Sequence, residues 1–183
     1  MVKFKCTLCG RCCSDPDIYI TLTHKDIYRL YLKFNDISEV MSKISLILDP
    51  IEHTLVMPTV RLYDHNNIVS LKKDNSGKCI FLNSNNTCNI YEYRPLVCRS
   101  FPFTFSKENS WLRWGFSFKY SICEGIGKGD EISDDDLINL GTIVLSEIND
   151  FYSFVRDWNL LVFSKKVRDD LYTFISRIIA YFE

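Results

Sequence analysis

Eight cysteines in two groups are the residues of this chain whose types and spacing could do chemistry. The first four are compressed into the spacing C-x2-C-x2-C-C near the N-terminus, and the other four are widely spread. Thiolates are soft ligands that favour zinc or iron–sulfur centres. The sequence therefore predicts metal binding. The eight candidate metal ligands are Cys6, Cys9, Cys12, Cys13, Cys79, Cys88, Cys98 and Cys123.

The first group is closer to an iron–sulfur run than to a zinc knuckle. Zinc knuckles usually supply cysteines in pairs, whereas a third cysteine three residues later is typical of bacterial cluster loops. Adjacent side chains normally diverge, so we expect Cys12 and Cys13 to serve different sites, as the last cysteine does in two-cluster ferredoxins. The prediction is two four-thiolate sites, or one with reserve thiols, holding a 4Fe-4S cluster or zinc.

Disulfides and inert buried thiols are the alternatives to metal ligation by these cysteines. A chain of 183 residues that is 46% hydrophobic can bury a core without disulfide support. The N-terminus has no apolar signal-peptide segment, which predicts a cytoplasmic protein, and thiols stay reduced there outside hyperthermophiles. Inert buried cysteines are not expected to cluster at these spacings.

Charge and hydropathy limit the classes of partner that this protein is expected to bind. The net charge is −1, with no basic excess, so no nucleic-acid partner is expected. No run of about 18 apolar residues is present, so no membrane association is expected either. A protein partner or protein substrate remains.

Hydrophobic periodicity predicts an α+β fold. We expect a small antiparallel sheet with N-terminal helices, a C-terminal α-hairpin and cysteine-rich metal-binding loops. A cysteine-cluster metal-binding domain over residues 1–130 and a helical hairpin over 131–183 should form one structural unit. No internal repeat is apparent in the sequence.

Individual elements follow from the same patterns. The second N-terminal helix is predicted to continue to Leu48, and the C-terminal helices to begin at Ser133 and Ser164. Phe101–Ser106 and Trp111–Lys119 are predicted to form a hairpin. The other predicted strands are Thr54–Met57, Val60–Tyr63, Ile68–Leu71 and Lys78–Leu82.

The cysteine blocks resemble those of a known family. Cys6–Cys13, Gly77–Leu82, Cys88–Phe103 and Cys123–Gly129 are similar to the motifs of the YkgJ-type CxxCxxCC family, over roughly residues 4–130. That family is regarded as zinc- or iron-chelating, and it is similar to the cluster region of flagellin lysine N-methylases. The resemblance implies metal or iron–sulfur binding and, more weakly, protein-lysine methylation.

Two further groups could bind a cofactor. Arg94 and Arg99 flank Cys98, where guanidinium groups either brace the loop or bind an anion such as a cofactor carboxylate. Gly125 and Gly127 lie in a glycine loop that either positions Cys123 or admits S-adenosylmethionine. The alternatives to a metal-binding protein of unassigned role are a lysine N-methyltransferase-like enzyme using that cofactor, with catalytic residues unknown, and a zinc-stabilised protein-interaction module.

The three histidines are not expected to bind metal, because eight thiols already suffice. His24 follows a helix cap and is predicted to be solvated. His65 is assigned to a surface turn, and His53 has no evident partner in the sequence.

Overall fold

The computed structural model describes residues 1–48 and 57–183, so His53 and most of the predicted strand Thr54–Met57 lie outside the described residues. The described residues form helices together with small antiparallel sheets, which confirms the α+β class. In chain order they are β1 (Val2–Phe4), α1 (Arg11–Ser14), α2 (His24–Phe34), α3 (Ile37–Lys43), β2 (Ile44–Leu48), β3 (Val60–Leu62), β4 (His65–Leu71), a 3-10 helix (Tyr91–Tyr93), α4 (Leu96–Ser100), β5 (Phe103–Glu108), β6 (Trp111–Phe116), a second 3-10 helix (Tyr120–Ile122), β7 (Ile126–Ile132), α5 (Asp134–Phe163) and α6 (Leu171–Phe182).

The chain divides into two compact units, each built from two segments. The first contains Met1–Ile18 and Lys73–Ser146, and the second contains Tyr19–Lys72 and Glu147–Glu183. The domain boundary expected near residue 130 stays a prediction.

Two small antiparallel sheets form the framework of the first unit. β5 pairs with β6, so the predicted hairpin is confirmed, and β1 pairs with β7. Phe103 stacks on Phe116 at a centroid distance of 5.7 Å and meets the edge of Phe4 at 5.3 Å. These aromatic contacts join the two sheets into one apolar cluster.

The glycine segment after Cys123 is the largest difference from the predicted first unit. It was expected to be a loop, but Ile126–Ile132 forms β7, in which Gly127 and Gly129 have φ values of +80° and +75°. Glycine adopts these angles without a steric penalty. An added Cβ on Gly129 would lie 2.6 Å from the Cβ of Lys5, the residue that follows β1, so the close approach of Lys5 requires glycine there.

A three-stranded antiparallel sheet in the order β2-β4-β3 anchors the second unit. Helices α2, α3 and α6 and the later part of α5 supply the rest of its core. Thr23 and Asp26 form the predicted capping box at the start of α2. Trp158 on α5 is fully buried and donates its indole N–H to the Arg61 carbonyl at 2.9 Å, which fixes α5 against β3.

The second N-terminal helix ends earlier than predicted. Helix α3 stops at Lys43, and Ile44–Leu48 forms β2, which pairs with β4 from Ile44↔Leu71 to Leu48↔Asn67. Apolar residues at helical spacing also suit a strand when they are β-branched and meet a partner strand. Pairing with β4 therefore decides the conformation.

The C-terminal α-hairpin is confirmed, with different boundaries. Helix α5 extends to Phe163, and α6 begins at Leu171 rather than at Ser164. Asp170 caps α6 by accepting the Thr173 N–H at 2.8 Å. Among the described residues, no helix combines the length and apolar character that crossing a bilayer requires.

A buried ionic network links α2 to α5 inside the second unit. Arg29 donates to Asp26 Oδ1 at 2.9 Å and to both carboxylate oxygens of Glu147, at 3.0 and 3.3 Å. Thr23 Oγ1 also donates to Glu147, at 3.1 Å. Asp26 and Glu147 are 1% and 4% exposed, so the arginine neutralises two desolvated carboxylates.

The prediction that His24 is solvated is wrong. Its side chain is 0% exposed and stacks against Phe154 and Phe182, each at a centroid distance of 5.2 Å. Neither ring nitrogen has a hydrogen-bond partner among the described residues. Burial, followed by the positive charge of Lys25, lowers the His24 pKa from 6.5 to about 4, against the opposing charges of Asp150 and Glu147.

This buried imidazole should make the protein sensitive to acid. Below pH 6.5 the unfolded chain binds a proton at His24 that the folded chain accepts only near pH 4. The free energy of unfolding should therefore fall by about 3 kcal/mol as the pH drops from 6.5 to 4. Urea unfolding across this range should show the loss in the wild type and a shallower loss in His24→Leu. Identical pH dependence in both would contradict it.

Candidate metal centre

All eight cysteines lie in the first unit, although more than sixty residues separate the two groups in sequence. Each is a free thiol. Cys79 is buried, Cys6 is exposed, and the other six are half-buried. The fold thus brings the N-terminal group and the later group into the same compact body.

The N-terminal group lies against the loops that carry Cys79 and Cys88. Cys79 donates its backbone N–H to the Cys13 carbonyl at 2.8 Å. Gly10, with φ +72°, fits closely beside the second loop, because an added Cβ would lie 2.8 Å from the Asn86 carbonyl oxygen. The hydrogen bond between Cys79 and Cys13 joins two backbone groups, so it holds the cysteine segments together without using the thiols.

The side chains of Cys12 and Cys13 do not diverge, contrary to the prediction. Their sulfur atoms lie 3.9 Å apart on the short helix α1. Two ligands of one tetrahedral zinc–thiolate site are about 3.8 Å apart, given Zn–S bonds of about 2.3 Å. The separation therefore matches that of two thiolates on a single ion.

A shared hydrogen bond distinguishes the two adjacent thiols. The hydrogen bond between the two thiols lowers the pKa of Cys12 to about 7, while burial opposes this change and the Arg94 charge adds to it. The same bond, followed by burial and the negative charge of Cys12, raises the pKa of Cys13. Cys12 is thus the thiol of the pair that ionises first.

Electrostatic interactions connect most of the remaining thiols to this pair. Burial raises the pKa of Cys79, Cys88 and Cys123, and the negative charge of Cys12 adds to each rise. The thiols joined by such interactions are Cys9, Cys12, Cys13, Cys79, Cys88, Cys98 and Cys123. Cys12 has the central place in this group.

Backbone N–H groups oppose the cost of burying three of these thiols. The N–H groups of Phe81, Ile90 and Gly125 donate to the sulfur of the cysteine two residues earlier and lower its pKa. Such bonds stabilise thiolate ligands. Gly125 is buried, and an added Cβ would collide with the Lys5 carbonyl, which supports its predicted role in positioning Cys123.

The loop carrying Cys79 is organised by one carboxylate. Asp74 Oδ1 accepts the N–H groups of Ser76 at 2.8 Å and Lys78 at 3.0 Å, and the Asp74 N–H donates to the Lys78 carbonyl at 2.8 Å. A β-bridge between Lys73 and Cys79 closes the loop. The side-chain oxygen thus replaces a backbone acceptor.

The loop carrying Cys88 has the same hydrogen bonds. Asn83 Oδ1 accepts the N–H groups of Asn85 at 2.9 Å and Thr87 at 3.0 Å, and the Asn83 N–H donates to the Thr87 carbonyl at 3.0 Å. A β-bridge between Leu82 and Cys88 closes this loop. Residues 73–81 and 82–90 are therefore a tandem nine-residue repeat, which corrects the expectation of no internal repeat.

The repeat is structural, since the cysteine is its one identical residue. The fifth position has a positive φ in both copies, +79° at Gly77 and +60° at Asn86. The ninth is apolar and buried in both, as Phe81 and Ile90. Sequence reasoning missed Asp74 and Asn83, and an Asp or Asn five residues before each cysteine is the signal that identifies them. Lys78–Leu82, predicted to be a strand, is part of these turns.

Positively charged side chains lie beside the thiols. The Arg94 guanidinium stacks 3.6 Å from the Tyr91 ring centroid, and its charge lowers the pKa of Cys12 and Cys88 against larger effects. Lys73 Nζ donates to the Asp15 carbonyl at 2.7 Å and interacts electrostatically with Cys79. Arg99 lies on α4 next to Cys98. Positive charge of this kind balances a thiolate cluster.

A cavity of about 550 Å³ opens beside Cys9. Its wall includes an ion pair between Arg11 and Glu124, with an N–O distance of 2.7 Å. Such an opening gives solutes access to the cysteine group. Gly127 is exposed, with no atom near a potential Cβ, and S-adenosylmethionine binding at Gly125 and Gly127 stays a prediction.

The donor set fits a soft metal chemically. Zinc or iron–sulfur ligation requires thiolates within electrostatic range of one another, N–H groups directed at sulfur and nearby cations. The first unit has all three features. Within residues 1–48 and 57–183, no group of three or more His, Cys, Asp or Glu side chains is arranged closely enough to hold an ion.

The fold and these thiols define a cysteine-rich α+β protein, and the comparisons place it in a family. Residues 5–115 match the CxxCxxCC family, described as "Putative zinc- or iron-chelating domain", and the chain belongs to that family. The match includes seven of the cysteines and ends before Cys123.

A relative in another organism is similar over much of its length. An uncharacterized protein of Methanocaldococcus jannaschii is 29% identical over 148 residues, which cover 79% of this chain and 69% of that protein. No solved structure matches this chain.

Proposed function

We propose that this protein binds iron as an iron–sulfur cluster, or zinc in its place, through the cysteine thiolates of the first unit. The observation that carries the proposal is the convergence of both cysteine groups on one unit, with Cys12 in electrostatic contact with later cysteines. A metal would supply charge neutralisation for thiolates that are costly to bury together.

The N-terminal spacing favours iron–sulfur within this proposal, because C-x2-C-x2-C is typical of cluster loops. The 3.9 Å separation of Cys12 and Cys13 is equally suited to zinc. The chain itself binds and shields the metal: Phe81 and Ile90 donate N–H groups to sulfur, and Arg94 adds positive charge. A cytoplasmic location is part of the proposal, since free thiols persist in a reducing compartment. A protein partner or protein substrate is part of it as well.

Anaerobic purification followed by elemental analysis and a visible spectrum tests the identity of the metal. Iron with acid-labile sulfide and broad visible absorbance is the expected result. Zinc in a colourless protein would show that the bound metal is zinc and not an iron–sulfur cluster. Protein that contains neither metal, and takes up neither on anaerobic reconstitution, would overturn the proposal.

A further inference from the structure

We propose that the tandem repeat is a duplicated ligand-presenting unit, in which Asp74 and Asn83 are equivalent positioning residues for the metal ligands Cys79 and Cys88. This inference rests on the proposed function, because it specifies how two of the thiolates are presented to the metal. Asp74 and Asn83 do not touch the metal and act by fixing the loops.

The equivalence follows from the arrangement of the two copies. No residue separates them, because the second loop begins at Leu82 directly after the first ends at Phe81. A β-bridge closes each copy, between Lys73 and Cys79 in the first and between Leu82 and Cys88 in the second, so both present the thiol in the same way.

The positioning role follows from what each side chain holds. Asp74 and Asn83 each accept two backbone N–H groups through Oδ1, at 2.8–3.0 Å and 2.9–3.0 Å. Alanine would leave both N–H groups without this acceptor and release the loop. Asparagine at position 74 has the same Oδ1 acceptor, so Asp74→Asn keeps both backbone bonds. Asn83 also donates through Nδ2 to Thr87 Oγ1 and Asn89 Oδ1, so aspartate there would lose two bonds.

Cobalt(II) titration of the full-length protein tests the positioning role, with the thiolate-to-cobalt absorbance as the readout. Asp74→Ala and Asn83→Ala should each weaken cobalt binding by about 10- to 100-fold, as loss of an outer partner of a ligand does. Asp74→Asn should retain wild-type affinity.

The third position of each repeat gives matched controls. Asn75→Ala and Ser84→Ala change exposed residues of the same loops and should leave affinity unchanged. Loss of affinity in these controls, or in Asp74→Asn, would overturn the positioning role, because general loop damage would then account for the effect of alanine.

A wild-type protein that binds no cobalt, zinc or iron would instead overturn the proposed function itself.

Discussion

Replacing Cys12 with serine should abolish tight metal binding, with a larger effect than the same change at Cys6. Cys12 is the thiol whose charge reaches Cys13, Cys79, Cys88 and Cys123, whereas Cys6 is exposed. Loss of a central ligand should weaken binding by more than about 100-fold, the upper end for loss of an outer partner. Metal content after purification and competition with a chelator measure the change.

The Cys12→Ser result needs evidence that the chain still folds. Urea unfolding followed by tryptophan fluorescence provides it for both units, because Trp158 is buried in the second unit and Trp111 and Trp114 lie in the first. Equal metal content in Cys12→Ser and Cys6→Ser would show that Cys12 has no central role.

Replacing Arg29 with methionine should destabilise the second unit by about 3–5 kcal/mol. The substitution leaves Asp26 and Glu147 buried and facing each other without the cation that both contact. Removing one member of a buried ionic network costs more than the network contributes, because the remaining charges stay desolvated. The midpoint of urea unfolding at neutral pH measures the loss.

The Lys25–Asp150 pair is a matched control for Arg29→Met, because it joins the same two helices at 2.8 Å and is exposed. Lys25→Met should cost less than about 1 kcal/mol, as is usual for surface ion pairs. Similar losses of stability in both variants would mean that burial does not determine how much the Arg29 network contributes to the free energy of unfolding.

The features that the sequence predicts correctly depend on residues that lie close together in the chain. The Thr23 capping box and the β5–β6 hairpin follow from side chains close in sequence, and the cysteine spacing indicated a soft-metal site. The strand Ile44–Leu48 could not be predicted in this way, because its pairing partner, β4, decides its conformation.

Burial and side-chain geometry were likewise out of reach of the sequence. His24 was misplaced because its aromatic surroundings come from α5 and α6, more than a hundred residues later. The tandem repeat was hidden because Asp74 and Asn83 differ in type while sharing one hydrogen-bond acceptor. The same hydrogen-bond pattern is therefore formed by different residues in the two copies.

Protection of the cysteines against alkylation tests the central claim, that the thiols of the first unit hold a metal. Mass spectrometry of the anaerobically purified protein, labelled before and after metal removal by a chelator, counts the reactive thiols. Cys12, Cys79 and Cys88 should be protected in the metal-loaded protein and become reactive after chelation, with Cys6 the most reactive throughout. Identical labelling of these three cysteines before and after metal removal would contradict the claim.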